Sequence, residues 1–253
     1  MQERSVACGR PRSVGHGMMQ TQYLDVAPEL AAQGLSTAVV VGTGIHNASI
    51  SPELIAYRRK KAAEIAAFWR GRTEAESPEL AAYTALHRRF GVTDQVASPQ
   101  KLIAFIRRNR DVTGTGAVTD CYNLVSARTL VSIGAHDLDR LALPVSLRIC
   151  GETERFTPLD GSAARTCAGE YGYVDAENRI VCRLDVLQGR ETAVDEHSTR
   201  VVFFLQGNPA IAGAELLRAA WYLAELLETF CRARAELVAF SAAKPGAVEG
   251  RSC

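Results

Sequence analysis

The stretch Ala117 to Asp139, AVTDCYNLVSARTLVSIGAHDLD, sets polar side chains into a short apolar frame, among them Thr119, Asp120, Asn123, Ser126, His136, Asp137 and Asp139. Gly114 and Gly116 precede it and Gly134 interrupts it. This pattern predicts a helix from about Cys121 to Val131, opened by a Thr or Asp cap and stopped by that glycine. Asp120 and Asn123 would then lie near the helix N-terminus, where backbone N–H groups and the helix dipole favour polar and anionic ligands. A capped helix followed by a polar loop accounts for the same residues without any ligand.

Working outward, Thr37 to Val41 is a β-branched run and predicts a buried strand. Three Ser-Pro pairs, Ser51-Pro52, Ser77-Pro78 and Ser98-Pro99, predict helix starts with Ser as cap and Pro in the first turn. The first of these helices carries Leu54, Tyr57, Lys61, Ile65 and Phe68 at helical spacing and stops near Gly71. From Val145 the period changes. VSLRIC, EYGYVD, RIVCRLDV and RVVFFLQG read as strands, with Ala176, Glu177 and Asn178 turning the middle two into a hairpin. A last amphipathic helix is expected from about Ala212 to Val238. Residues 1–20 read as a disordered arm, 21–240 as one domain and 241–253 as a flexible tail. The fold class expected is α+β, a central antiparallel or mixed sheet flanked by helices.

Composition narrows the function. With 253 residues and 47% hydrophobic content the chain can bury a large core. No apolar run reaches the roughly 20 residues of a membrane span, and the N-terminus lacks a hydrophobic signal core, so no membrane partner and a cytoplasmic location are expected. The seven cysteines, at 8, 121, 150, 167, 182, 231 and 253, form no C-x-x-C pair and read as reduced core thiols. No metal site and no cofactor is expected. The net charge of +1 hides an asymmetry: residues 1–110 hold 15 basic against 9 acidic side chains, and the remainder 14 against 19. Basic residues cluster as Arg58, Arg59, Lys60 and Lys61, as Arg88 and Arg89, and as Lys101, Arg107, Arg108 and Arg110. They form either solvated helix faces or a surface for an anionic partner.

Standard catalytic motifs are absent. Val41-Gly42-Thr43-Gly44 follows a strand, but Asn47 stands where a dinucleotide fingerprint needs its third glycine. There is no G-x-S-x-G and no H-E-x-x-H. Of the five histidines, His16, His46 and His197 read as structural, which leaves His87 and His136.

The combination of Tyr83, His87-Arg88-Arg89 and Gly91, Ser98-Pro99, Val118-Thr119-Asp120-x-Tyr122-Asn123 and Ile133-Gly134-x-x-Asp137-Leu138-Asp139 resembles proteins of the B3/4 family. Gly169-Glu170, Asp175 and the segment DVLQGRETAVDEHSTRVVFF add to the likeness, which spans roughly Tyr23 to Val238. That family is similar to the editing module in the β subunit of phenylalanyl-tRNA synthetase, which hydrolyses amino acids wrongly esterified to tRNA. The resemblance implies a trans-acting aminoacyl-tRNA deacylase, a hydrolase partnered by the aminoacylated end of tRNA. In the family, a histidine near the end of the I-G-x-H-D stretch and a polar or acidic residue in a glycine-containing loop line the amino-acid pocket. The matching positions are His136 and the loop Gln188-Gly189-Arg190-Glu191-Thr192, in which the glutamate is displaced by one.

On that basis His136 is the expected general base or water-orienting group, its ordinary pKa of about 6.5 suiting proton transfer near neutrality. Asp120 and Asn123 are expected to hold the site or the substrate ammonium and ribose. Gln188, Glu191, Thr192, Asp137 and Asp139 are the expected substrate-binding and loop-orienting residues. Arg58, Arg59, Lys60, Arg88, Arg89, Arg107 and Arg108 would meet tRNA phosphates, with binding that weakens as salt rises. A polar pocket points to a mischarged or non-proteinogenic amino acid with a polar or hydroxylated, threonine- or tyrosine-like side chain. The alternatives are a tRNA or RNA binding module without hydrolysis and a small-molecule amino-acid-binding enzyme on the same fold.

Overall fold

A computed structural model describes residues 22–112 and 114–242. The expected N-terminal arm, nearly all of the expected tail, His16, Cys8 and Cys253 lie outside the described residues.

Why the chain forms three layers follows from the alternation in two strands. β2 (Ser36–Thr43) and β8 (Arg200–Gly207) pair antiparallel, with Val39 opposite Phe204 and Val40 opposite Phe203. Successive side chains in a strand point to opposite faces. Ala38, Val40, Phe203 and Leu205 therefore join one core, and Val39, Val41, Val202 and Phe204 another. β3 (Ser132–Asp137) lies on the far side of β8 and β9 (Arg234–Ser241) on the far side of β2, giving a four-stranded antiparallel sheet in the order β3-β8-β2-β9. This sheet is buried on both faces, so its central strands are almost wholly apolar.

The first core is the helical layer: α2 (Pro52–Phe68), α4 (Ser98–Asn109), α5 (Ala117–Thr129) and α6 (Gly213–Cys231) cover one face of the sheet. The second core joins the other face to a five-stranded mixed sheet, order β1-β4-β5-β6-β7. Its strands are β1 (Leu24–Val26), β4 (Val145–Ile149), β5 (Tyr171–Val174), β6 (Ile180–Arg183) and β7 (Leu187–Gln188). β1 and β4 run parallel and the other pairs antiparallel. α3 (Pro78–Arg89) and the one-turn α1 (Pro28–Ala31) contribute Leu86 and Leu30 to this second core. A third, smaller cluster of Cys150, Phe156, Cys167, Val174 and Ile180 packs the long connection between β4 and β5 against the five-stranded sheet.

The α+β class is as expected, with two sheets among the described residues. Three local expectations are corrected. The helix beginning at Ala117 has Gly116 as its N-cap, so Asp120 lies inside the first turn and does not cap it; the C-terminal stop is Leu130, in the left-handed region at φ 61°, while Gly134 lies within β3. Ser51 and Ser77 do cap α2 and α3, accepting from the Leu54 and Leu80 N–H groups at 3.1 and 3.3 Å. Ser98 makes no cap: its hydroxyl donates to the Asp185 carbonyl at 2.8 Å. The last helix ends at Cys231, and the segment read as its continuation is β9. There Ala235 and Leu237 face the helical core while Val238 and Ala239 face the sheet core, so pairing with β2 outweighs helical propensity.

All five cysteines within the described residues are buried and free; the Cys121 and Cys231 sulfurs lie 4.0 Å apart.

Candidate functional site

α5 organises the site. Its opening turn is anchored from elsewhere in the chain: Asn47 Oδ1 accepts from the Val118 N–H at 3.0 Å, and Asn47 Nδ2 donates to the Asp195 carbonyl at 2.9 Å. A Cβ at Gly116 would sit 3.2 Å from Asn47 Oδ1, which accounts for a glycine at that cap. Asp120 is completely buried and pairs with the Arg58 guanidinium, while its other oxygen accepts from the Gly114 N–H at 2.8 Å. The acidic position in V-x-D-x-x-N is thus the tie between α2, α5 and the glycine loop. Asp120 is not in contact with solvent. Arg58 is 8% exposed and has Asp111 at 3.1 Å as a second partner.

One turn further, Tyr122 and Asn123 open into a pocket of about 840 Å³. α4 supplies Ser98, Lys101 and Leu102, β3 supplies Ile133, and the segment ending in β7 supplies Val186, Leu187 and Gln188. The outer wall is the long connection between β4 and β5, through Phe156, Leu159, Asp160 and Arg165. The volume suits a ligand of a few hundred daltons. Burial raises the Tyr122 phenol above its ordinary value, against hydrogen bonds to the Gln188 and Thr119 side chains. Burial lowers the Lys101 ammonium, opposed by the field of Asp185.

His136 lies elsewhere. Ile133 and His136 are three residues apart on one strand and so point to opposite faces: Ile133 lines the pocket, and His136 enters the space between the sheets. It is 0% exposed, with Nδ1 hydrogen-bonded to Thr192 Oγ1 at 2.9 Å and its ring 5.6 Å from that of Phe204. Burial pushes its pKa down to about 4, with the Asp175 carboxylate acting weakly the other way. Nε2 faces a small void of about 10 Å³ shared with Tyr173, Asp185 and Gln206, which is room for about one water molecule. No amino acid fits in that void, and His136 does not line the larger pocket. The same network holds the other motif histidine: His87 pairs with Asp185, which also accepts from Tyr171 OH at 2.8 Å.

The remaining expected residues divide similarly. Asn123 and Gln188 both line the pocket. Thr192 is buried on His136, and Asp137 accepts from Ser198 Oγ at 2.6 Å and from the Asp139 N–H at 2.9 Å. Both are loop anchors. Asp139 pairs with Arg200 at the surface at 2.7 Å, and exposed Glu191 accepts from Thr157 Oγ1 at 2.8 Å; none of these four lines the pocket. Among the basic residues, Lys60, Arg88, Arg89 and Arg108 are exposed, Arg59 contacts Asp111 at 3.2 Å and Arg107 contacts Glu74 at 2.8 Å. Sequence reading missed the wall formed by Phe156, Leu159, Asp160 and Arg165. Its signal was there: a long Gly-, Ser- and Thr-rich connection between two strands is the kind of loop that carries function. No cluster of three or more metal-ligating side chains occurs among the described residues, nor does any helix there reach the length and apolarity needed to cross a membrane.

The B3/4 domain family model matches residues 83–231, more than half of the chain and both motif segments around the pocket. The chain belongs to the B3/4 domain family. It is similar to an N-terminal fragment of the phenylalanyl-tRNA synthetase beta-subunit from Pyrococcus horikoshii, at 14% identity and a TM-score of 0.48, over 90% of this chain and 53% of that one. The chain thus spans about half the length of that fragment. No curated protein matches it.

Proposed function

We propose that residues 21–240 act as an editing unit in the cytoplasm, hydrolysing in trans the ester that joins a mischarged or non-proteinogenic amino acid to tRNA. The observation that carries this reading is that Asn123, from V-x-D-x-x-N, and Gln188, from Q-G-x-E-T-x-V, line one pocket. An aminoacyl ester is already labile, so its hydrolysis asks for a placed water and donors for the developing oxyanion more than for a covalent nucleophile. Each carboxamide offers two N–H donors and a carbonyl acceptor. One such group can hold water by its oxygen while the other donates to the ester carbonyl, and the Lys101 ammonium adds positive charge beside them. Leu102, Ile133, Phe156 and Val186 give the pocket apolar walls. In this reading His136 fixes Thr192, and with it the loop that carries Gln188. The polar lining of Asn123, Gln188, Asp160 and Ser162 favours a threonine- or tyrosine-like substrate over an aliphatic one.

The burial of His136 favours one second reading, a tRNA-binding module without hydrolysis. Release of amino acid from a panel of correctly and incorrectly charged aminoacyl-tRNAs separates the two. Selective release from one mischarged species supports editing. Bound tRNA with every ester intact supports the binding module.

A further inference from the structure

α4 borders two cavities. Its first turn contributes Ser98, Lys101 and Leu102 to the candidate site. Its last turns border a second cleft of about 470 Å³, where Arg107, Arg108 and Arg110 face Arg70 and Glu74 at the end of α2 and just beyond it. Four guanidinium groups thus line the cleft against one carboxylate. Glu74 meets Arg107 at 2.8 Å, and Asp111, the nearby alternative, is taken by Arg58 and Arg59 at 3.1 and 3.2 Å. α4 itself holds no acidic residue. Compensation of the helix dipole explains basic residues in the last turn of α4. It does not explain Arg70, which reaches the cleft from another helix's end.

Spacing links the two cavities. Lys101, Ala104 and Arg108 follow the i, i+3, i+7 pattern of one helix face. Seven residues of helix cover about 10 Å. A stacked strand advances about 3.4 Å per nucleotide, so that distance corresponds to about three nucleotides. A guanidinium fork matches phosphate oxygens bidentately.

We propose that Arg70, Arg108 and Arg110 hold backbone phosphates of the nucleic-acid strand whose terminal nucleotide enters the candidate pocket, about three nucleotides from that end. This rests on the reading that the pocket takes the aminoacylated end of tRNA. α4 then serves as the track along which the strand leaves the site.

The test is binding of single-stranded RNA oligonucleotides of two, four and six residues, and of inorganic tripolyphosphate, to the full chain over a salt series. The variants are the triple Arg70→Ala, Arg108→Ala, Arg110→Ala protein, the corresponding triple Lys protein, and Arg218→Ala as an exposed single-charge control on α6. The parent is expected to bind the longer oligonucleotides on the order of tenfold more tightly than the dinucleotide, since each added phosphate contact releases counterions. In the triple Ala variant that length dependence disappears, and the slope of log affinity against log salt falls by about two, at about 0.7 per phosphate. The triple Lys variant keeps most of the slope, and Arg218→Ala leaves the length dependence intact. Unchanged length dependence in the triple Ala variant overturns the proposal, as does equal loss in Arg218→Ala. Tripolyphosphate binding as tightly as the hexanucleotide, with no length dependence, also overturns it and makes the cleft a site for free polyphosphate. Length-dependent binding with no ester hydrolysis would sink the editing reading and leave this one standing.

Discussion

His136 Nδ1 lies 2.9 Å from Thr192 Oγ1, and both side chains are enclosed between the two sheets. The contact braces the segment that follows Gln188. Burial holds the folded-state pKa near 4, against about 6.5 in the unfolded chain. Between those values the unfolded chain binds the additional proton, so stability is lost as pH falls from about 6.5 toward 4. The shift corresponds to about 3 kcal/mol. Urea unfolding between pH 7 and 4 should therefore show a steeper loss for the parent than for His136→Gln; parallel curves would contradict the assignment.

Asp120 and Arg58 form the second brace. Removing one partner of a buried ion pair leaves the other charge uncompensated, at a cost of about 3–5 kcal/mol. Asp120→Asn is expected to destabilise at the low end of that range, because the amide keeps an acceptor for the Gly114 N–H. The double variant Arg58→Met, Asp120→Leu should recover part of the loss. Chemical denaturation of the three proteins checks this. A stable Asp120→Asn protein that has lost activity would return Asp120 to the chemistry.

The Ser-Pro pairs give a graded comparison. Ser51→Ala and Ser77→Ala each remove an N-cap hydrogen bond and are expected to cost about 1 kcal/mol. Ser98→Ala removes a side-chain hydrogen bond to Asp185 instead, so its effect should extend to the pocket wall it lines. Thermal melts give the first quantity. Ligand binding by Ser98→Ala gives the second, and equal behaviour of all three would contradict the distinction.

Gly189 is a close-approach glycine. A Cβ there would lie 2.9 Å from the Ile180 carbonyl oxygen and 3.2 Å from that of Val181. Gly189→Ala is expected to cost about 1–3 kcal/mol and to displace Gln188, since well-packed backbone yields little. Reduced stability and weakened pocket binding should appear together; a fully stable, fully binding variant would show that the segment adapts freely.

Much of the architecture was legible because it follows local rules. The alternation in TAVVV and RVVFFLQG, the Ser-Pro starts and the Ala176–Asn178 turn each encode their element directly. The misread elements depended on partners distant in sequence. Gly116 caps α5 only because Asn47 comes from 69 residues away, and Arg234–Ser241 becomes a strand because β2 has a free edge. At the site, motif residues were recognisable but their directions were not. Parity along Ser132–Asp137 places His136 with Gly134 and opposite Ile133, a consequence that emerges once the pocket is known to lie on the Ile133 side. Burial likewise decided which basic residues reach the surface: Arg58 and Arg59 are neighbours in sequence and share Asp111, yet only Arg59 lies at the surface.

The central claim is that the Asn123–Gln188 pocket, and not His136, contacts the ester. Single-turnover release of amino acid from the most rapidly hydrolysed mischarged tRNA, compared among the parent, Asn123→Ala, Gln188→Ala and His136→Gln at pH 7.5, tests it most directly. The account predicts on the order of a hundredfold loss in each pocket variant, the scale set by removal of one oxyanion donor, with only a modest loss in folded His136→Gln. Full activity in both pocket variants, with activity abolished in a folded His136→Gln protein, would contradict it.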